Sequence, residues 1–143
     1  MSPDVRVAES DADREAALVV RRDVFIEEQG VPEEVEMDGK DEDAIHFIAT
    51  ASGDPVGTAR LREVGSGVGK VERVAVVADR RDDGIGRELM RTLEATAVER
   101  DIDRLVMHAQ THVQAFYLSL DYETTSDVFE EAGIDHVEME KEL

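Results

Sequence analysis

KVERVAVVADRRDDGIGR, residues 70–87, is the stretch on which the fold turns. Its first half, Lys70 to Val77, is the most strand-like run in the chain. Arg81-Asp82-Asp83-Gly84-Ile85-Gly86 then breaks the pattern, and Leu89, Met90, Leu93 and Ala97 recur at helical spacing toward Arg100. Strand, glycine loop, helix is the resulting unit. Two glycines one residue apart at such a junction let the backbone approach a ligand and aim several N–H groups at one point. The helix dipole adds roughly half a positive charge there, and Arg81 and Arg87 lie close enough in sequence to add more. That arrangement suits a phosphate; a tight turn followed by an ordinary helix start is the alternative. A dinucleotide-binding fingerprint fits less well, because it places three glycines after the first strand of a parallel unit, and a Walker A loop is excluded by the missing Gly-Lys-Ser/Thr ending.

Working outward, Val5 and Val7 alternate with polar residues as a short strand does. Ser10, Asp11 and Asp13 offer N-caps for a helix to about Glu27, with Ala16, Ala17, Val20, Val24 and Phe25 facing the core. Residues 28–43 (EQGVPEEVEMDGKDED) read as an exposed loop with at most one helical turn, long enough to suggest function. Residues 44–52 and 56–64 form a hairpin about Gly53-Asp54-Pro55, and Gly65-Ser66-Gly67 leads back into the opening stretch. After the main helix come a strand at 105–109, a short helix with Phe116 and Tyr117, and strand-like segments near 122–129 and 136–139. The order is β-α-β-β-β-α-β-α-β-β, and 143 residues make one domain, 1–143.

Charge is the unusual bulk property: 35 acidic against 16 basic residues give a formal net charge of −19. Self-repulsion of that size destabilises a compact state in dilute buffer. The acids are dispersed, and the bases are nearly all arginine, with lysine only at Lys40, Lys70 and Lys141. That pattern resembles proteins of salt-accumulating halophiles, in which a Debye length of about 3 Å at molar salt screens the repulsion. No basic stripe is present to neutralise phosphates, so nucleic acid is not expected as a partner. No apolar run approaches the ~20 residues of a membrane span, and the acidic start MSPDVRVAES is unlike an export signal, so the expectation is a cytoplasmic protein without a membrane partner. The absence of cysteine removes thiolate chemistry.

Arg73-Val74-Ala75-Val76 followed by Arg81-x-x-Gly84-x-Gly86 resembles the acetyl-CoA motif of the GNAT superfamily. Gln110 to Tyr122 (QTHVQAFYLSLDY) is similar to the motif after that family's fifth strand. Residues 22–29 (RDVFIEEQ), with Glu36, Asp38, Asp41 and His46 downstream and 131–139 (EAGIDHVEM) at the end, look like its ElaA-like branch. The resemblance covers nearly the whole chain and implies the GNAT acyl-CoA N-acyltransferase fold, an α/β (α+β) domain with a mixed, mostly antiparallel sheet flanked by helices. Its relatives are often dimers. Three departures stand out: Asp82 and Asp83 lie inside the phosphate loop, Asp121-Tyr122 replaces Gly-Phe, and Gln110 stands where many relatives carry Asn.

By this resemblance the chain binds acetyl-CoA and acetylates an amine of a small molecule or peptide. Backbone groups of Val74, Ala75 and Val76 would hold the thioester and pantetheine. Arg81, Asp82, Gly84, Ile85, Gly86 and Arg87 would hold the pyrophosphate, with Gln110 on the pantetheine arm. The chemistry needs a deprotonated amine, stabilisation of an oxyanion and a proton for the departing thiolate. Tyr117 matches the general acid. Glu72 is the preferred base, expected to have a raised pKa if partly buried, and His46 is the alternative. Glu28 and Gln29, with His46, are candidates for the amine pocket. His108 and His112 stand four apart, but a strand-to-helix break between them argues against a metal site, and none is expected. A non-catalytic acyl-CoA-binding regulator on the same fold is the competing reading.

Overall fold

The structure is a computed structural model and describes residues 3–143. The chain runs β1 (Asp4–Val7), α1 (Asp11–Arg21), a π-helical segment (Arg22–Glu28), α2 (Glu33–Glu36), β2 (Ile45–Ala51), β3 (Asp54–Gly65), β4 (Val68–Val76), α3 (Ile85–Glu99), β5 (Arg104–Gln110), α4 (Gln114–Leu118), β6 (Glu123–Thr124), β7 (Phe129–Glu131) and β8 (Ile134–Glu142). The strands form one sheet in the order β1-β2-β3-β4-β5-β8-β6, with β7 also on β8. Every pairing is antiparallel except β4 with β5. The mixed sheet and the order of long elements are those expected.

α1 starts where Ser10 accepts a hydrogen bond from the Asp13 N–H (3.1 Å), with Asp11 and Asp13 favourably placed in the first turn. It lies on one face of the sheet, where Ala17, Val20 and Val24 bury against Ile48 and Ala75. α3 covers the other face: Leu89, Met90, Leu93 and Ala97 pack on Phe47, Leu61, Val71, Leu105 and Met107. Gly57 permits this approach, since a Cβ there would meet Ile85 Cγ2 and Leu89 Cδ1 at 3.0 Å.

The structure departs from the sequence reading in three places. The segment near 122–129 is not one strand: β6 covers only Glu123–Thr124 and β7 starts at Phe129, and between them the Glu138 N–H donates to the Ser126 hydroxyl (2.8 Å) instead of to a strand carbonyl. Regular α-helix ends at Arg21 rather than near Glu27, and a π-helical turn follows, in which the Gln29 N–H reaches back five residues to the Val24 carbonyl oxygen (3.0 Å). Residues 28–43 are not exposed throughout. Glu36 is only 2% exposed, and Arg21, Arg60 and Arg73 hold Glu36, Asp38 and Asp41 down on the sheet. Ion pairs between this stretch and single arginines from three distant segments leave no periodic signal, which is why the sequence reads it as solvated.

Candidate active site

β4 and β5 pair over only four rungs, from Val68–Arg104 to Val71–Met107, although β4 continues to Val76 and β5 to Gln110. β4 stays paired to β3 on its other side, so past Val71 its far edge presents peptide groups to an opening. A bulge accompanies the parting. Thr58 opposes Ala75 and Arg60 opposes Glu72, leaving Arg73 and Val74 against the single residue Ala59. Arg73 adopts φ +55° there, at a cost of about 1–2 kcal/mol for a residue with a Cβ. The compensation is visible in its side chain, whose Nη2 donates to the Glu36 carbonyl oxygen (3.0 Å) while Nε lies 2.6 Å from Glu36 Oε2. The Val77 N–H donates to the Val56 carbonyl oxygen (2.9 Å), and strand alternation turns the N–H groups of Val74 and Val76 the other way, into the opening.

Gly84 starts α3 at φ +81° with no capping side chain. The first intrahelical bond is Glu88 N–H to the Gly84 carbonyl oxygen (3.1 Å), so the N–H groups of Ile85, Gly86 and Arg87 have no helical acceptor. The two glycines serve different ends. A Cβ on Gly84 would meet nothing within 4 Å, leaving open the space before those donors, whereas one on Gly86 would lie 3.2 Å from Phe116 Cζ. Gly86 therefore admits the α4 ring as well as belonging to the loop.

Residues far apart in sequence tie this region together. Both Arg81 Nη atoms meet the Glu28 carboxylate (2.6 and 2.8 Å), and Arg81 Nε donates to the Val76 carbonyl oxygen (2.9 Å). Glu28 is thus held below the usual carboxylate range by the Arg81 hydrogen bond, and Arg81 is already neutralised. Arg87 is exposed and has no ion pair among the described residues. Gln29 and Gln110 exchange side-chain hydrogen bonds at 3.2 and 3.0 Å. Two residues assigned to the amine pocket therefore clasp two assigned to the cofactor. Asp82, at φ +73°, and Asp83 stay exposed in the loop.

Tyr117 is 6% exposed and packs edge-on to Phe116 and Tyr122, with ring centroids at 5.0 and 5.8 Å. Burial pushes its phenol well above its ordinary value. It keeps its proton at neutral pH, so its hydroxyl can donate a hydrogen bond but gives up its proton less readily than an ordinary phenol.

Glu72 corrects an expectation. It is largely buried, but Arg62 (2.6 Å), Arg60 (2.9 Å) and Lys70 (3.7 Å) surround it. Burial works to raise its pKa, the arginine hydrogen bonds and charges outweigh burial, and the net direction is down. A carboxylate so held is a poor proton acceptor. His46 is buried, with Nε2 donating to the Asp41 carbonyl oxygen (2.9 Å), so that nitrogen is not available as a base. His108 and His112 separate at the end of β5, and His108 turns instead to Glu131. Among the described residues no three His, Asp or Glu converge as metal ligands.

Residues 8–143 match the family described as Acetyltransferase (GNAT) domain. The chain belongs to the GNAT acetyltransferase family. It is 38% identical over 141 residues to a candidate acetyltransferase of Bacillus subtilis, covering 96% of this chain and 95% of that one. Protein ElaA of Escherichia coli is 30% identical over 132 residues, covering 90% and 86%. The ElaA crystal structure superposes with a TM-score of 0.87 at 26% identity, covering 98% and 99% of the two chains. That of an acyl-CoA N-acyltransferase from Pseudomonas aeruginosa gives 0.84 at 28% identity, with the same coverage. The eight-stranded mixed sheet flanked by helices is the GNAT acyltransferase fold. No helix among the described residues is long and apolar enough to cross a membrane.

Proposed function

We propose that this GNAT chain is an N-acetyltransferase that passes the acetyl group of acetyl-CoA to a primary amine by direct attack in a ternary complex. The observation that carries the reading is the opening between β4 and β5, edged by peptide groups of Val74 and Val76, together with the uncapped N-terminus of α3. Acetyl-CoA, when bound, supplies an activated acetyl thioester. Val74 to Val76 hold its acyl end, and the N–H groups from Arg81 to Arg87, with the Arg87 side chain, hold its pyrophosphate. Arg81 acts through its backbone and through Glu28, which fixes the loop to the π-helical segment. Gln110, oriented by Gln29, borders the pantetheine arm. Tyr117 donates a hydrogen bond to the sulfur as the carbon–sulfur bond breaks. The dispersed acidity of the surface supports a high-salt working environment.

Calorimetric titration of acetyl-CoA in molar KCl, with NAD as comparison, tests the cofactor. Gly84→Val should weaken acetyl-CoA binding by at least ~100-fold, about 2.7 kcal/mol. A Cβ there meets nothing within 4 Å, so the fold survives apart from backbone strain at positive φ, at least about 1–2 kcal/mol, while the donors are masked. Wild-type affinity in that variant, with a native circular dichroism spectrum, would remove the phosphate cradle. Tyr117→Phe should bind acetyl-CoA within about threefold of wild type and lose roughly 100-fold in kcat. An unchanged kcat would assign Tyr117 to packing alone.

A further inference from the structure

On the sheet face turned away from α3, one row of polar side chains crosses from strand to strand. His46 opposes Arg60, Arg60 opposes Glu72, and His108 opposes Glu138. Glu72 and His108 each stand one residue past the last β4–β5 rung, Val71–Met107. Val71 and Met107 lie in the α3-side core, so alternation sets Glu72 and His108 on the opposite face, flanking the point where the strands part. The Glu72 half of the row is neutralised by arginines and covered by residues 36–41. The His108 half is not.

There, the His108 Nδ1–H donates to Glu131 Oε1 (3.0 Å), and His108 Nε2 lies 4.0 Å from Glu138 Oε2. Phe129 fixes the ring, meeting His108 edge-on at 5.1 Å and stacking on His136 at 6.0 Å. Buried His136 braces the group from below, with Nδ1 donating to the Ile134 carbonyl oxygen (2.7 Å) and Nε2 3.8 Å from Glu131 Oε2. His108 is 30% exposed in its side chain, within reach of a solute.

We infer that this cluster is the acceptor side of the transferase, built for a primary amine arriving as its ammonium, with His108 as the base. The inference rests on the acetyltransferase reading above. With Nδ1–H committed to Glu131, the ring's lone pair is on Nε2. An alkyl ammonium, with a pKa near ~10.4, arrives protonated at pH 7. One of its N–H bonds breaks, the proton passes to His108 Nε2, and the nitrogen keeps the electron pair with which it attacks the acetyl carbonyl. The carbon–sulfur bond then breaks with its electron pair going to sulfur, and the second surplus proton of the attacking nitrogen passes to that thiolate, leaving an amide and a free thiol. The imidazolium then sits between the carboxylates of Glu131 and Glu138 until it releases the proton to water. Those two carboxylates, within 4.0 Å of the ring, select a cationic amine over a neutral alcohol or an anionic acceptor. Glu72 contributes its cation-clamped carboxylate to the rim of the opening and takes no proton.

The test uses the full chain in molar KCl, with 1,5-diaminopentane as the amine probe and 1,5-pentanediol as its uncharged counterpart. His108→Gln should retain acetyl-CoA affinity within twofold and lose about 100-fold in kcat/KM for the diamine at pH 7. That deficit should shrink above pH 9, as more of the amine arrives unprotonated. Imidazole 15N spectra of the protein alone should show His108 as the Nδ1–H tautomer, and Glu131→Gln should shift it toward the Nε2–H form. The diamine, and not the diol, should perturb the His108 and Glu138 resonances. Unchanged kinetics in His108→Gln, a deficit constant across pH, or equal perturbation by diamine and diol would overturn the proposal. Failure of the wild type to bind acetyl-CoA would instead overturn the transferase reading. The tautomer and the diamine perturbation would then decide the ammonium site by themselves.

Discussion

Arg60→Ala should destabilise the fold by about 3–5 kcal/mol, the loss expected when one partner is removed from a buried ion pair and the others are stranded. Arg60 is 0% exposed and meets Asp38 at 2.8 Å, Asp41 at 2.9 Å and Glu72 at 2.9 Å. Three carboxylates from two segments of chain thus depend on one guanidinium, which is rigid and stays charged. Its removal leaves Asp41 with Arg21, Asp38 with Arg73 and Glu72 with Arg62 and Lys70, too little positive charge for the buried acids. Arg62→Ala is the control. It also pairs with Glu72 but is 19% exposed, so water replaces much of what is lost and the cost is about 1 kcal/mol. Urea denaturation in 2 M KCl separates them, and limited proteolysis of Arg60→Ala should cut within 30–43 first. Equal losses for the two variants would mean that the network behaves as surface charge.

The glycine loop and the strand before it are legible in sequence because both signals are local. Period-two alternation, a Gly-x-Gly break and period-3.6 spacing lie within thirty residues, and the structure follows them closely. The hairpin at 53–55 and the helix carrying Tyr117 are legible for the same reason. What decides the chemistry is not local. The clasp of Arg81 by Glu28 spans 53 positions and that of Gln29 by Gln110 spans 81. Glu72 reads as a candidate base because it lies on the strand beside the acetyl-CoA motif, where the family resemblance implies a catalytic acid or histidine, and a partly buried carboxylate taken alone binds its proton more tightly. Register with β3 sets Arg60 and Arg62 beside it and reverses the direction. The bulge at Arg73, which swings that side chain toward Glu36, has no signature in residue type. His108 escapes notice for a different reason: counted against His112 it suggests a metal, whereas its partners are Glu131 and Glu138, brought near by β7 and β8. Alternation along β5 does contain one usable clue, since Leu105, Met107 and Ala109 are buried and thus set His108 and Gln110 together on the other face.

The same balance of charges gives the largest solution effect, a stability that depends on salt above pH 5 and on acid below pH 4. At pH 7 the net charge of −19 repels itself, so in dilute buffer stability should rise as the pH falls toward 5 and the charge shrinks. The buried network works in the opposite sense. Arg60 hydrogen bonding holds Asp38 well below the usual carboxylate range. Asp41 and Glu72 are also lowered, because arginine contacts outweigh the burial that alone would raise them. Groups depressed in the folded state stabilise it at pH values above their unfolded pKa, near ~3.9 for Asp and ~4.3 for Glu, and that contribution is lost as the pH falls through the folded values. The urea midpoint in 0.1 M KCl should therefore climb from pH 7 to about pH 5 and drop below about pH 4. In 2 M KCl, with the Debye length cut to a few Å, the midpoint at pH 7 should be much higher and the climb should flatten. The drop below pH 4 should persist, because ions screen buried pairs far less than exposed ones. A midpoint at pH 7 indifferent to salt would show that the dispersed acids do not strain the fold, and one still rising below pH 4 would show that Asp38, Asp41 and Glu72 add nothing to it.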